Sequence, residues 1–147
     1  RMMSVQNPYS LVNRTYEIGM SEISIREKCG LLAYYPLAAG ALSGKYRNGQ
    51  MPKNSRMTLF KGWERMINPL AMKAYDKYYE LAKEYNITMV QLAQAFVNSR
   101  TFVTSNIIGA TTMKQLKENI KSIDIDLSEE ILEKINLIHN NNPNPAP

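Results

Sequence analysis

The chain alternates short apolar runs with longer stretches of helical periodicity. It opens on Met2-Met3-Ser4-Val5-Gln6, which stops at Asn7-Pro8 and reads as a buried strand followed by a turn. A helix is predicted from about Asn13 to Cys29, on an apolar stripe of Ile18 and Ile25 broken at Ser21 and Glu22, with Gly30 suited to its C′ position. Leu31-Leu32-Ala33-Tyr34-Tyr35 is continuously apolar or aromatic up to Pro36, as in a strand covered on both faces. Residues 36–67 keep no period and interleave glycines with Lys and Arg. A loop that long inside a compact domain is usually functional or disordered.

Helical signals return at Asn68-Pro69, an N-cap followed by Pro at N1, and continue on Ala71, Ala74/Tyr75, Tyr78, Leu81/Ala82 and Tyr85. Thr88 and Gln91 form a capping box that opens a second helix, with Ile87 and Leu92 at staple positions. Val103 and Ile107-Ile108 flank a third short strand that ends at Gly109. Thr112 and Gln115 form another capping box, opening a helix to about Ser122. A last helix is predicted from Ser128 to about His139 on Ile131, Leu132, Ile135 and Ile138. The domain thus spans 1–139, and the polar, Pro-rich tail 140–147 is expected to be loose.

The order of elements is strand, helix, strand, long loop, helix, helix, strand, helix, helix. Such alternation predicts an α/β fold with a parallel sheet. Three strands are few for closing a core, so the pattern suits part of a (β/α) barrel or of a doubly wound sheet. A first residue of Arg rather than Met agrees with the expectation of a piece of a longer chain.

Composition narrows the class. The 147 residues are 44 % hydrophobic, with 18 Lys+Arg against 13 Asp+Glu, a net charge of +5. That balance is globular. No run approaches the ~18 apolar residues of a membrane span, so no membrane partner is expected. The basic residues are spread among acidic ones without a recognition motif, so no nucleic-acid partner is expected either. One cysteine and one histidine exclude an intramolecular disulfide and a Cys/His zinc site, and the expected compartment is the cytoplasm.

Ligands of parallel α/β barrels sit beyond the C-terminal ends of the strands. Three segments here occupy such positions: Gln6-Asn7, Tyr34 onward, and Gly109 onward. The last leads from a strand directly into a helix, whose free N–H groups and dipole favour an anion. The long basic loop is able to fold over a polyanion. Tyr34 and Tyr35 offer a platform for a flat ring, although neighbours on a strand face opposite ways, which sends one of the two to the core. His139 lies at a helix C-terminus, where a cation is favoured, and is a poor catalytic candidate. Cys29 reads as a small buried residue, and Asp124 and Asp126 as solvated carboxylates.

Taken together, Ser4-Val5-Gln6-Asn7-Pro8-Tyr9-Ser10-Leu11, then Ala33-Tyr34-Tyr35-Pro36-Leu37 on to Gly44-Lys45-Tyr46, then Gly109-Ala110-Thr111-Thr112 with Gln115-Leu116 and Glu118-Asn119, resemble the aldo-keto reductase superfamily. The branch most alike holds the bacterial Tas-type proteins and the potassium-channel β subunits. The resemblance covers nearly the whole chain, including its Pro-Ala-Pro ending. It implies the C-terminal half of a (β/α)₈ barrel, strands six to eight with their helices, with a cofactor loop at about 36–67.

The resemblance implies NADP(H) binding and hydride transfer to a small carbonyl substrate. By it, Gln6 would bond the nicotinamide carboxamide and Tyr34 would stack on the nicotinamide ring. Leu37 would line the pyrophosphate path, and Lys45 and Arg56 would contact phosphates. Gly109, Thr111, Gln115, Glu118 and Asn119 would hold the adenosine end with its 2′-phosphate. The chain departs from the family pattern at Tyr35, where many members have Ser, and at Gly109, where the single-domain reductases carry Lys. NADP preference would then rest on Arg56 and Gln115. The family's catalytic Asp, Tyr, Lys and His belong to the first half of the barrel and have no counterpart here. The chain alone is therefore expected to be inactive, to take the N-terminal half of the same barrel as partner, and without it to self-associate through unpaired strand edges. A non-catalytic, nucleotide-sensing module of the β-subunit kind is the alternative.

Overall fold

The computed structural model describes residues 2–147. One parallel sheet holds three strands in the order β1 (Ser4–Pro8), β2 (Gly30–Tyr34), β3 (Val103–Asn106). The helices are α1 (Met20–Glu27), α2 (Arg56–Leu59), α3 (Pro69–Glu84), α4 (Met89–Asn98), α5 (Met113–Lys121) and α6 (Glu129–Asn141). The expected alternation is present, with short 3₁₀ turns added in the connections. Among the described residues no helix is long and apolar enough to cross a membrane.

Local signals hold where the side chain that makes them acts within one turn. Asn68 accepts from the N–H groups of Leu70 (2.9 Å) and Ala71 (3.0 Å), opening α3. The Thr88–Gln91 box closes in both directions. At α5 only half of the expected box forms. Thr112 caps the Gln115 N–H at 3.2 Å, but the Gln115 Oε1 accepts from the N–H and hydroxyl of Thr111 instead. The core joins Leu31 and Ala33 of β2 to Ala71, Tyr75, Tyr78 and Leu81 of α3 and to Leu92 and Phe96 of α4.

Four sequence expectations are corrected. The first strand runs over Ser4–Pro8, not 2–6, and is half-exposed, because β1 is an edge of the sheet; Met2 and Met3 before it are exposed. Residues 13–29 form a 3₁₀ turn at Thr15–Glu17 and then α1, because the broken stripe gives helical burial to few positions. Lys28, at φ 52°, takes the left-handed cap, and Gly30 starts β2. The reason for glycine there is a close approach. The register of β2 against β3 skips Thr104, and a Cβ on Gly30 would meet Thr104 Oγ1 at 1.7 Å.

The fourth correction concerns the tail. Residues 140 and 141 belong to α6, and the rest of 140–147 is docked. Asn144 accepts from the Arg14 N–H (2.6 Å), the Ala146 N–H donates to the Val12 carbonyl (3.2 Å), and the Pro145 carbonyl accepts from Asn68 (2.7 Å). Arg14 is itself fixed by Glu17 through two bonds and by Asn136, and Tyr9 also donates to Glu17. A polar, Pro-rich segment packs here because its polar groups find backbone and side-chain partners while Ala146 joins the apolar core.

Candidate functional site

All three strands are parallel, so their C-terminal ends lie along one margin of the sheet. Beyond the ends of β2 and β3 opens a cleft of about 600 Å³. It is walled on one side by the chain that follows Tyr34. There Tyr35 (φ 58°), Ala38 (φ 46°), Ala39 (φ 57°) and Gly40 (φ 93°) fold the backbone into tight turns. The turns are closed by bonds from the Ala38 N–H to the Tyr35 carbonyl (2.8 Å) and from the Gly40 N–H to the Leu37 carbonyl (2.8 Å). For Tyr and Ala this left-handed conformation costs of order 1–3 kcal/mol each, and such strain concentrates at ligand sites. Lys45 crosses this turn: a Cβ on Gly40 would lie 2.9 Å from Lys45 Nζ.

One of the two tyrosines packs against the core as expected, Tyr35, but its positive φ keeps it beside Tyr34 instead of on the opposite face. Tyr35 has left the strand, so both rings line the cleft, edge to face at 4.7 Å. Trp63 packs edge-on against Tyr35 at 5.5 Å, and the Arg56 guanidinium lies over Trp63 at 5.1 Å. Ser55 and Thr58 cap the short α2 that carries Arg56. The long loop is thus ordered by an aromatic ladder that ends in a cation. Among the described residues neither Lys45 nor Arg56 has a carboxylate partner. Two unpaired cations on one cleft suit an anionic ligand.

The opposite wall is the start of α5. Gly109 and Thr111 enter it, and Gln115, Glu118 and Asn119 face the same cleft. Glu118 accepts from the Thr88 hydroxyl at 2.7 Å, tying this wall to the start of α4. Asn119 is buried and donates to the Gly109 carbonyl at 3.2 Å. The structure therefore brings Tyr34, Leu37, Lys45, Arg56, Gly109, Thr111, Gln115, Glu118 and Asn119 to one cleft. Gln6 stands apart, exposed on β1 in register with Leu32.

Sequence reasoning missed Trp63 as the support of Arg56, and Gln94, a wholly buried side chain that borders the cleft from α4. A polar residue inside the apolar run Leu92-Ala93-Gln94-Ala95-Phe96 was the available signal. Away from the cleft, His139 is half-buried. Desolvation and the nearby Arg14 charge hold its imidazole below the usual range. Cys29 is buried as expected, and no described cluster of His, Cys, Asp and Glu suits a metal.

A parallel strand–helix array with its cleft at the strand ends fits part of a (β/α)₈ barrel or of a doubly wound sheet, and the comparisons decide for the barrel. The Aldo/keto reductase family matches residues 1–140, and the chain belongs to that family. It is 44 % identical to the protein Tas of Escherichia coli (strain K12) over 147 residues, all of this chain and 42 % of Tas. It is 33 % identical over 120 residues to the probable voltage-gated potassium channel subunit beta of Arabidopsis thaliana, covering 78 % of this chain and 36 % of that one. With the L-glyceraldehyde 3-phosphate reductase of Escherichia coli (strain K12) it shares 31 % over 125 residues, 81 % of this chain and 36 % of that enzyme. The glycerol dehydrogenase of Gluconobacter oxydans has the same fold at a TM-score of 0.75 and 22 % identity, over 96 % of this chain and 43 % of that structure. The chain thus spans less than half the length of these relatives.

Proposed function

We propose that this chain is the cofactor-binding part of an oxidoreductase that uses NADP(H) to interconvert a small carbonyl compound and its alcohol. The observation that carries the reading is the convergence of nine residues on one cleft whose two cations lack carboxylate partners. The residues fit a dinucleotide phosphate. Lys45 and Arg56 match its phosphates, the turn at 35–40 supplies a close-approaching backbone, and Tyr34 presents an aromatic face. A bound nicotinamide supplies the hydride for carbonyl reduction.

Each residue has a definable task in this reading. Tyr34, pressed against Tyr35, offers its ring to the nicotinamide. Gln6, outside the cleft, reaches only the end of an extended ligand that crosses from β2 to β1, and its amide there orients the ring carboxamide. Lys45 and Arg56 neutralise phosphate charge. Gly109, Thr111, Gln115, Glu118 and Asn119 receive the adenosine end. The general acid and the substrate loops come from the N-terminal half of the same barrel, which also covers the open edges of β1 and β3.

The test is a titration of the 147-residue chain with NADPH and NADH, followed by an assay of nicotinamide absorbance with simple aldehydes. Saturable NADPH binding without turnover is expected, with turnover appearing when the rest of the barrel is supplied. Absence of NADPH binding by the completed barrel refutes the reading. Binding with no turnover by the completed barrel favours the nucleotide-sensing alternative, which the likeness to the channel β subunit supports.

A further inference from the structure

Beneath the cleft, five polar side chains close a ring. The Asn106 Nδ2 donates to Gln94 Oε1 (2.7 Å) and to Asn98 Oδ1 (2.9 Å). Gln94 Nε2 donates to Asn119 Oδ1 (3.5 Å), and Asn119 Nδ2 donates to the Gly109 carbonyl (3.2 Å). On the other branch Asn98 Nδ2 donates to Ser122 Oγ (3.4 Å), which donates to the Asn119 carbonyl (2.6 Å). Both branches start at Asn106, the last residue of β3, and both end on Asn119.

The direction of the ring is dictated by its ends. A backbone carbonyl can only accept. Gly109 therefore requires the Nδ2 of Asn119, which turns the Asn119 Oδ1 toward Gln94. That demands the Nε2 of Gln94 and leaves its Oε1 for Asn106. Asn106 must then spend its amide nitrogen on both branches, and its Oδ1 is left buried with no partner, as the structure has it. A buried unpaired acceptor costs stability, so its retention calls for an explanation. What the arrangement secures is one fixed orientation of the Asn119 amide and of the Gly109 carbonyl at the cleft wall.

We infer that Gln94 is a positioning residue for the adenosine end of the nucleotide site, acting through Asn119 and Gly109; this rests on the NADP(H) reading above. Gln94 contributes no exposed surface of its own. Its hydrogen bonds run to Asn119 and Asn106 and to neither Tyr34 nor Gln6.

The experiment compares the wild-type chain with Gln94→Leu and with Gln94→Leu/Asn106→Leu, each in the barrel completed with its N-terminal half, using NADPH, adenosine 2′,5′-bisphosphate and nicotinamide mononucleotide as probes. Gln94→Leu removes the donor to Asn119. It should weaken NADPH and the bisphosphate by roughly three- to tenfold, as expected for one neutral hydrogen bond, and leave the mononucleotide within twofold. The double variant also removes the orphaned Asn106 Oδ1 but takes the donor from Asn98 Oδ1, so it moves stability by a route that does not restore the bond to Asn119. Its bisphosphate affinity should stay as low as that of Gln94→Leu whatever its urea midpoint, which separates positioning from stability. The inference is overturned if Gln94→Leu leaves bisphosphate binding within twofold, if both half-ligands weaken alike, or if affinity recovers with stability in the double variant. A completed wild-type barrel that binds neither NADPH nor the bisphosphate removes the nucleotide reading and this inference with it.

Discussion

Replacing Arg56 by Ala tests the cleft where its charge is most exposed. Arg56 sits at the first position of α2, with its guanidinium over Trp63 and no carboxylate partner among the described residues. A hydrogen bond to a charged group contributes about 1.5–3 kcal/mol. The side chain is exposed, so solvent screening places the effect at the low end, about 1.5 kcal/mol. At 1.4 kcal/mol per decade that is roughly a tenfold loss of affinity for NADP⁺. NAD⁺ lacks the 2′-phosphate and should lose less than threefold. Arg56→Lys keeps the charge but not the planar fork or the stacking on Trp63, and should fall between the two. Fluorescence reads the titration directly, because Trp63 is the single tryptophan of the chain and lies in the same ladder. Added salt should narrow the wild-type preference for NADP⁺ as screening grows. Equal weakening of NADP⁺ and NAD⁺ by Arg56→Ala would refute the placement of Arg56 at the 2′-phosphate.

Three further outcomes concern the scaffold. Gly30→Ala forces a Cβ onto Thr104 and should lower stability by about 1–3 kcal/mol in urea unfolding; Thr104→Ala in the same chain should restore most of it. Asn144→Ala removes the bond to the Arg14 N–H and puts alanine at φ 49°, so a loss of about 2 kcal/mol is expected, and an unchanged midpoint would mean that the tail does not hold the fold. Burial pushes the Glu17 carboxyl up, but the hydrogen bonds from Arg14 and Tyr9 outweigh it and hold the group below the usual carboxylate range. Its contribution is therefore fully present above the unfolded carboxylate pKa and lost as pH falls through the lower folded value, so Glu17→Gln should flatten that part of an acid-unfolding profile.

Much of this protein was legible in the order of its residues. Caps such as Asn68, Thr88 and Ser128 act on N–H groups two or three residues away, and the stripe from Ala71 to Ala82 needs only helical geometry to form a face. Motifs that lie far apart in the chain resemble one family, and nine of the ten site residues which that resemblance implies line one cleft. Other features depend on contacts between distant segments. Whether Tyr34 and Tyr35 diverge was decided by a left-handed turn that the loop and Trp63 brace from outside the strand. Whether a Pro-rich tail packs was decided by Arg14, some 130 residues earlier, and by Asn68. The role of Gln94 emerges only when β3, α4 and α5 are assembled, because the direction of a hydrogen-bonded ring is set by the carbonyls at its ends and no local rule contains them.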